Sequence, residues 1–175
     1  LHAITQRPAA MYHSWGGQNP WLRQIHGEAP LWIPDEVARA HGLRDGDWAW
    51  VISHHARIRV PVRRMAAVNP RTVWTWNAVG KRPGAWALAP DAPEATRGFL
   101  LNPLIHELLP EREDGMRWAN ADPVTGQAAW YDLRVRLERA EPPGNGRAGP
   151  GDADAAQVSP VGRGRGMLGR PWDRR

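Results

Sequence analysis

The sequence predicts a mainly β domain with helical decorations, folded as a β-barrel. Short runs of period-two hydrophobicity outnumber helical patterns. These runs lie far apart in the chain with helical patterns between them, which suits a closed sheet better than a parallel α/β layer. Two of them, in "RDGDWAWVISHHARIRVPVRRM", are joined by a few polar residues, as a hairpin requires.

The opening "LHAIT" reads as the first strand. It runs into "ITQRPAAMYHSWGGQNPW", which is too polar for a core strand and too aromatic for an idle linker. "IPDEVARAHGL" carries helix punctuation: Pro34 suits the first turn, Asp35 and Glu36 put negative charge at the N-terminus, and Gly42 stands where the helix stops. Val37 and Ala40 or His41 are expected to share its buried face. Asp45-Gly46-Asp47 then marks a turn.

In the hairpin, Trp48, Trp50 and Ile52 alternate with Ala49, Val51 and Ser53, and Ile58, Val60 and Val62 alternate with arginines. Pro61 points to a barrel rim, a bulge or an edge, because it cannot donate to a ladder. "TVWTW" is a further strand, and "APEATRGFLLNPLIHELLP" reads as a helix from about Pro93 to Leu109. "AAWYDLRVRLER" is the last strand, with Leu133, Val135 and Leu137 on one face. From Glu141 onward Gly, Pro, Ala and charged residues dominate. Residues 1–140 are therefore read as one domain and 141–175 as a disordered Gly/Pro/Arg-rich tail.

Composition narrows the chemistry. A net charge of +5 suits an anionic partner. The absence of cysteine removes any cysteine-ligated iron–sulfur cluster, disulfide or thiol nucleophile from this chain. Eleven tryptophans against one phenylalanine suit either a core built on indoles or the covering of a planar ligand. No apolar run approaches the roughly 20 residues that span a bilayer. The chain begins with Leu1, so an upstream portion is expected.

Arg7 can make paired charge-assisted bonds to a phosphate or a ring carbonyl. His13 and Ser14 can donate from the same loop, and Gln18 and Asn19 offer both donors and acceptors. Gly16-Gly17 would allow close backbone approach to a ligand. Trp15 and Trp21 could cover a flat ring system. His54-His55 read as exposed turn residues, since neighbours on an extended segment point to opposite faces. His26, His41 and His106 are expected in or near helices. Asp122-Pro123-Val124-Thr125-Gly126 is a turn that Asp122 serves to build.

In order along the chain, the opening Thr5-Gln6-Arg7 with His13-Ser14, "GLRDGDWAWV", "ARIRVPV" and "NADPVTGQAAWYDLRVRLER" resemble the closing domain of the dimethyl-sulfoxide-reductase family of molybdopterin oxidoreductases. "TQRPAAMYHSWGGQN" and "WNAVGKRPGAW" look similar to the branch of thiosulfate, polysulfide and sulfite enzymes.

The resemblance implies a double-psi β-barrel that binds molybdopterin guanine dinucleotide, as the Mo-bis-MGD cofactor, with no iron–sulfur cluster in this segment. It implies cofactor contacts from Thr5, Arg7, His13, Ser14, Trp15, Gln18, Trp76, Asn77, either Asn102 or Asn120, Gln127 and Tyr131, with Lys81 and Arg82 nearby. Asp132 stands near where relatives place a basic residue. The implied reaction is oxygen-atom or electron transfer on a sulfur oxyanion or a related small inorganic substrate, with molybdenum or tungsten. This portion alone is expected to have no turnover. The implied partners are the remaining domains of a catalytic subunit, a membrane anchor, and an iron–sulfur electron-transfer subunit. The implied place is the cytoplasmic face of the membrane or the periplasm.

The rival readings are a basic nucleic-acid-binding module, suggested by the GD turn and the "GRGRG" stretch, and a structural assembly domain.

Overall fold

The computed structural model describes residues 1–13, 15–77, 79–80, 98–127 and 133–142. Six strands form a mixed sheet in the order β1-β5-β2-β4-β3-β6: β1 (His2–Gln6), β2 (Leu31–Pro34), β3 (Trp48–Ile52), β4 (Arg57–Met65), β5 (Thr72–Trp76) and β6 (Arg136–Ala140). Two short helices, α1 (Pro20–Ile25) and α2 (Asp35–Ala40), lie outside the sheet order. β1 runs parallel to β5 and β2 parallel to β4, whereas β2/β5, β3/β4 and β3/β6 are antiparallel.

The two outer strands of that order meet. Ala3 N donates to Leu133 O at 2.9 Å and Val135 N donates to Leu1 O at 2.9 Å, around an antiparallel bridge between His2 and Arg134. The segment leading into β6 therefore closes the sheet onto β1. Closure satisfies edge groups that would otherwise be left open.

β4 is long because it serves two neighbours. Residues 57–61 pair with β3, and residues 62–65 pair with β2. Pro61, opposite Trp48, stands at this handover, where its missing donor interrupts neither ladder. Inward residues of alternating parity fill the centre: Ala49, Val51, Ile58, Val60, Val62 and Val73 are all essentially solvent-free. Leu133, Val135 and Leu137 join them, as their alternation predicts. Outward, Trp50 lies under the Arg57 guanidinium at 4.4 Å and that of Arg59 at 5.6 Å.

Three local expectations change. The residues 98–109 are not helical apart from a single 3-10 turn, Asn102–Leu104. A continuous helix would place Pro103 in its interior without an N–H. Instead Phe99, Leu101 and Leu104 insert into the core, at intervals of two and three rather than along a helical stripe. His106 accordingly lies in irregular chain.

In α2, Pro34 is the N-cap and ends β2, and the buried residue is Ala38; Val37 is half-buried, and Ala40 and His41 are exposed. Gly42 adopts φ +62°, as its stop position predicts. Finally, β2 and α1 occupy stretches for which periodicity suggests neither element. Four residues, three of them buried, are too few to show a period. The tail from residue 143, and residues 93–97 of the expected helix, lie outside the described residues.

Candidate functional site

Strand direction gathers the candidate residues at one end of the barrel. β1, β3 and β5 end there, and β4 and β6 begin there. At the opposite end lie the turn at Gly46 and the turn joining β4 to β5.

The centre of this end is the pair of parallel strands β1 and β5. Thr5 is in register with Thr75 and Gln6 with Trp76. Beyond them the Asn77 amide donates to Gln6 O at 3.0 Å. Thr5 and Arg7 are exposed, Asn77 is half-buried and Thr75 is fully buried. Thr75 Oγ1 and Asn77 Oδ1 are both shielded from water and have no hydrogen-bond partner among the described residues. Buried polar atoms are nearly always satisfied, so two orphans at the end of β5 point to a missing partner at this end. Sequence reasoning does not single out Thr75. Its only signal is its parity in "TVWTW", which puts a hydroxyl on the same inward face as Val73.

The segment after Arg7 folds back over this end. Met11 packs with Ala29 and Val79, and Leu22 and Trp76 pack against them. His13 is half-buried at φ +49°, a backbone region costly for a residue with a side chain, and stacks edge-on against Tyr12 at 4.9 Å.

Several neighbours have structural duties. A β-carbon on Gly16 would come within 2.9 Å of Leu22 Cδ1, so this glycine serves the loop's packing on itself rather than the approach of a ligand. Asn19 Oδ1 caps α1, accepting from Trp21 N at 2.9 Å. Trp15 and Trp21 are largely exposed. Ser14, Lys81, Arg82, Tyr131, Asp132 and the side chain of Gln18 lie outside the described residues.

Trp76 belongs to an aromatic group on the outer face. It meets His26 at 5.2 Å and Trp74 edge-on at 4.8 Å, and Trp74 stacks on Trp32 at 5.5 Å. Arg63 closes the row over Trp32 and pairs with Glu28 at 2.6 Å.

The asparagines separate. Asn102 is exposed on its 3-10 turn. Asn120 is tied to a hairpin-like arm: its backbone amide donates to Glu107 O at 2.7 Å and its Nδ2 to His106 O at 3.3 Å. Gln127 is exposed just before β6's approach. Asp122 builds its turn, as expected. Its Oδ1 accepts from Thr125 N at 2.7 Å, Val124 N at 3.0 Å and Thr125 Oγ1 at 3.0 Å, and these bonds hold its carboxyl below the usual range.

A second polar group sits at the same end. The β3–β4 turn presents His54 and His55 to His106, with ring centroids 6.4 Å and 4.5 Å apart respectively. Burial lowers the pKa of both turn histidines, and the charges of His106 and Arg117 push in the same direction. Among the described residues no three His, Cys, Asp or Glu side chains are placed to hold a metal ion.

One barrel end thus carries a guanidinium, an imidazole, two hydroxyls and a carboxamide, and two of their oxygens lack partners among the described residues. Such a set suits an anionic ligand rich in N–H donors and carbonyl acceptors. A family profile described as the molydopterin dinucleotide binding domain matches residues 1–106. A sulfite dehydrogenase subunit of Allochromatium vinosum is 53% identical over 163 residues, which cover 93% of this chain and 16% of that protein. Acetylene hydratase from Pelobacter acetylenicus shares the fold, with a TM-score of 0.53 at 18% identity, over 80% of this chain and 18% of that one. The chain therefore spans only about a sixth of the curated relative's length.

Proposed function

The chain belongs to the molydopterin dinucleotide binding domain family, and from that premise we propose that it clamps Mo-bis-MGD at the shared ends of β1 and β5 within a molybdenum or tungsten oxidoreductase. The observation that carries this is that Asn77 Oδ1 and Thr75 Oγ1, at the end of β5 and beside the β1 end that leads to Arg7, have no partner among the described residues. A pterin dinucleotide supplies N–H donors for those oxygens, and its phosphates or ring carbonyls suit Arg7. His13 and Thr5 offer further hydrogen bonds from the same loop and strand, and Ser14, Gln18, Gln127 and Tyr131 complete the proposed set. The bound cofactor supplies the redox chemistry; the domain orients it and tunes its electrostatics.

The proposed substrate is a sulfur oxyanion or a related small inorganic species, by likeness to the sulfite dehydrogenase relative. That relative is one subunit of its enzyme, which supports a multi-subunit assembly here too. Its proposed parts are the remaining domains of a catalytic subunit, a membrane anchor, and an iron–sulfur subunit. We read the closed sheet as a double-psi barrel, supported by its two parallel pairings, and residues 1–140 as the domain unit. A nucleic-acid module is not favoured, because the family match runs through both the opening loop and the hairpin.

The test is Arg7→Ala in the full-length subunit. Molybdenum and guanine nucleotide content should fall severalfold while the protein stays folded; unchanged occupancy would remove Arg7 from the site.

A further inference from the structure

We propose that His55, His106 and Arg117 form a subsite for a small oxyanion, at the same end of the barrel as the β1/β5 site but built on different elements. The His55 and His106 rings lie against each other, and the Arg117 charge acts on His55. Leu108 N–H donates to His106 Nδ1 at 3.0 Å, which leaves the His106 ring proton on Nε2. His54 Nε2 donates to Leu108 O at 3.2 Å, so this ring is held as part of the frame. Arg117 donates Nε to Leu109 O at 3.1 Å, and its two terminal nitrogens have no partner among the described residues. His55 lies 4.5 Å from His106 and its ring nitrogens are likewise unpartnered among the described residues.

The electrostatics agree. The charges acting on His55 are those of His106, His54 and Arg117, and those acting on His54 are those of His106 and Arg117, all positive when present. Of the arm's carboxylates, Glu107 is exposed, and Asp114, which lines a pocket with Arg117, pairs with Arg112 at 3.8 Å. Burial and these positive charges favour the neutral form of His55, and an anion relieves it: binding brings a negative charge that lets the imidazole take up a proton. His106 Nδ1 also lies 3.2 Å from Leu108 O, so a proton placed there would exchange the bond from Leu108 N–H for one to that carbonyl. Oxyanion binding should therefore be coupled to proton uptake and weaken as pH rises. Sulfite and a nucleotide phosphate share this chemistry. The inference does not rest on the cofactor assignment.

The test is a histidine-ring NMR titration of the 175-residue chain with sodium sulfite, with guanosine diphosphate and with sodium chloride at matched ionic strength. His55 and His106 should shift saturably with one of the two oxyanions and not with chloride, and their apparent pKa values should rise. Saturation by sulfite assigns a free inorganic oxyanion; saturation by the nucleotide alone assigns a phosphate. Arg117→Gln, at an exposed position, should weaken binding at least about tenfold with an unchanged melting temperature, as loss of a charge-assisted bond predicts. His41→Ala, at the far end of the barrel, should not. No saturable shift, an equal response to chloride, or full affinity in Arg117→Gln would each overturn the subsite.

Discussion

Asn77 hangs from Gln6: its amide donates to the Gln6 carbonyl at 3.0 Å, while its own side-chain oxygen is buried without a partner among the described residues. The backbone bond holds an unsatisfied acceptor where two parallel strands end. Asn77→Leu should therefore leave the cofactor-free chain as stable or more stable by up to about 1 kcal/mol, since an unpaired buried oxygen costs about 1–3 kcal/mol. The same change in the full-length protein should lower molybdenum content. Urea denaturation and metal analysis together check this; a destabilised chain would mean that the oxygen has an unseen internal partner.

Gly80 passes the 98–99 backbone so closely that a β-carbon on it would lie 2.5 Å from both Gly98 C and Phe99 Cα, and its φ of +111° already excludes most side chains. Gly80→Ala is expected to cost at least about 2 kcal/mol, from backbone strain and the displacement of buried Phe99. Chemical denaturation measures it. A neutral substitution would show that the crossing relaxes freely.

Val60 is fully buried on β4 and faces the barrel interior. Val60→Asp should abolish cooperative unfolding, because an unpaired carboxylate in that core costs several kcal/mol against a total stability of about 5–15 kcal/mol. Calorimetry would reveal the lost transition. Val60→Ala should instead leave a folded chain weakened by roughly 1–3 kcal/mol.

His54 and His55 both have pKa values lowered from 6.5, first by burial and then by their positive neighbours. Around and below that value the unfolded chain binds these protons more readily than the folded one. Stability is therefore full above it and falls as pH drops toward the folded values. Thermal melts between about pH 7 and pH 5 should show this decline, and a His54→Asn/His55→Asn double variant should flatten it. An unchanged slope would assign the decline to other groups.

Asp122 behaves in the same sense at lower pH. Its carboxyl is held down by bonds from Thr125 and Val124, so the turn is protected above the ordinary carboxylate range and released as pH falls below it. Protection factors of the Thr125 and Val124 amides should fall in acid, and Asp122→Ala should lack that protection at every pH. Equal protection in the variant would mean that Pro123 and Gly126 alone hold the turn.

Composition and periodicity suffice for several features: a mostly β domain, the β3–β4 hairpin, the inward face of Ile58, Val60 and Val62 with Leu133, Val135 and Leu137, and the turn that Asp122 builds. These are local. Alternation places side chains on opposite faces, and a carboxylate reaches amides two and three residues on. The residues also carry the family likeness, through motifs in order. Which residues meet is a different matter, set by the folded barrel. Thr75 becomes a buried hydroxyl without a partner among the described residues because β5 pairs in parallel with β1, a strand at the other end of a long stretch of chain. His106 joins His54 and His55 because Phe99, Leu101 and Leu104 enter the core from irregular chain rather than from a helix. Long-range pairing, and the competition between core filling and local propensity, are properties of the closed sheet, and no window of sequence contains them.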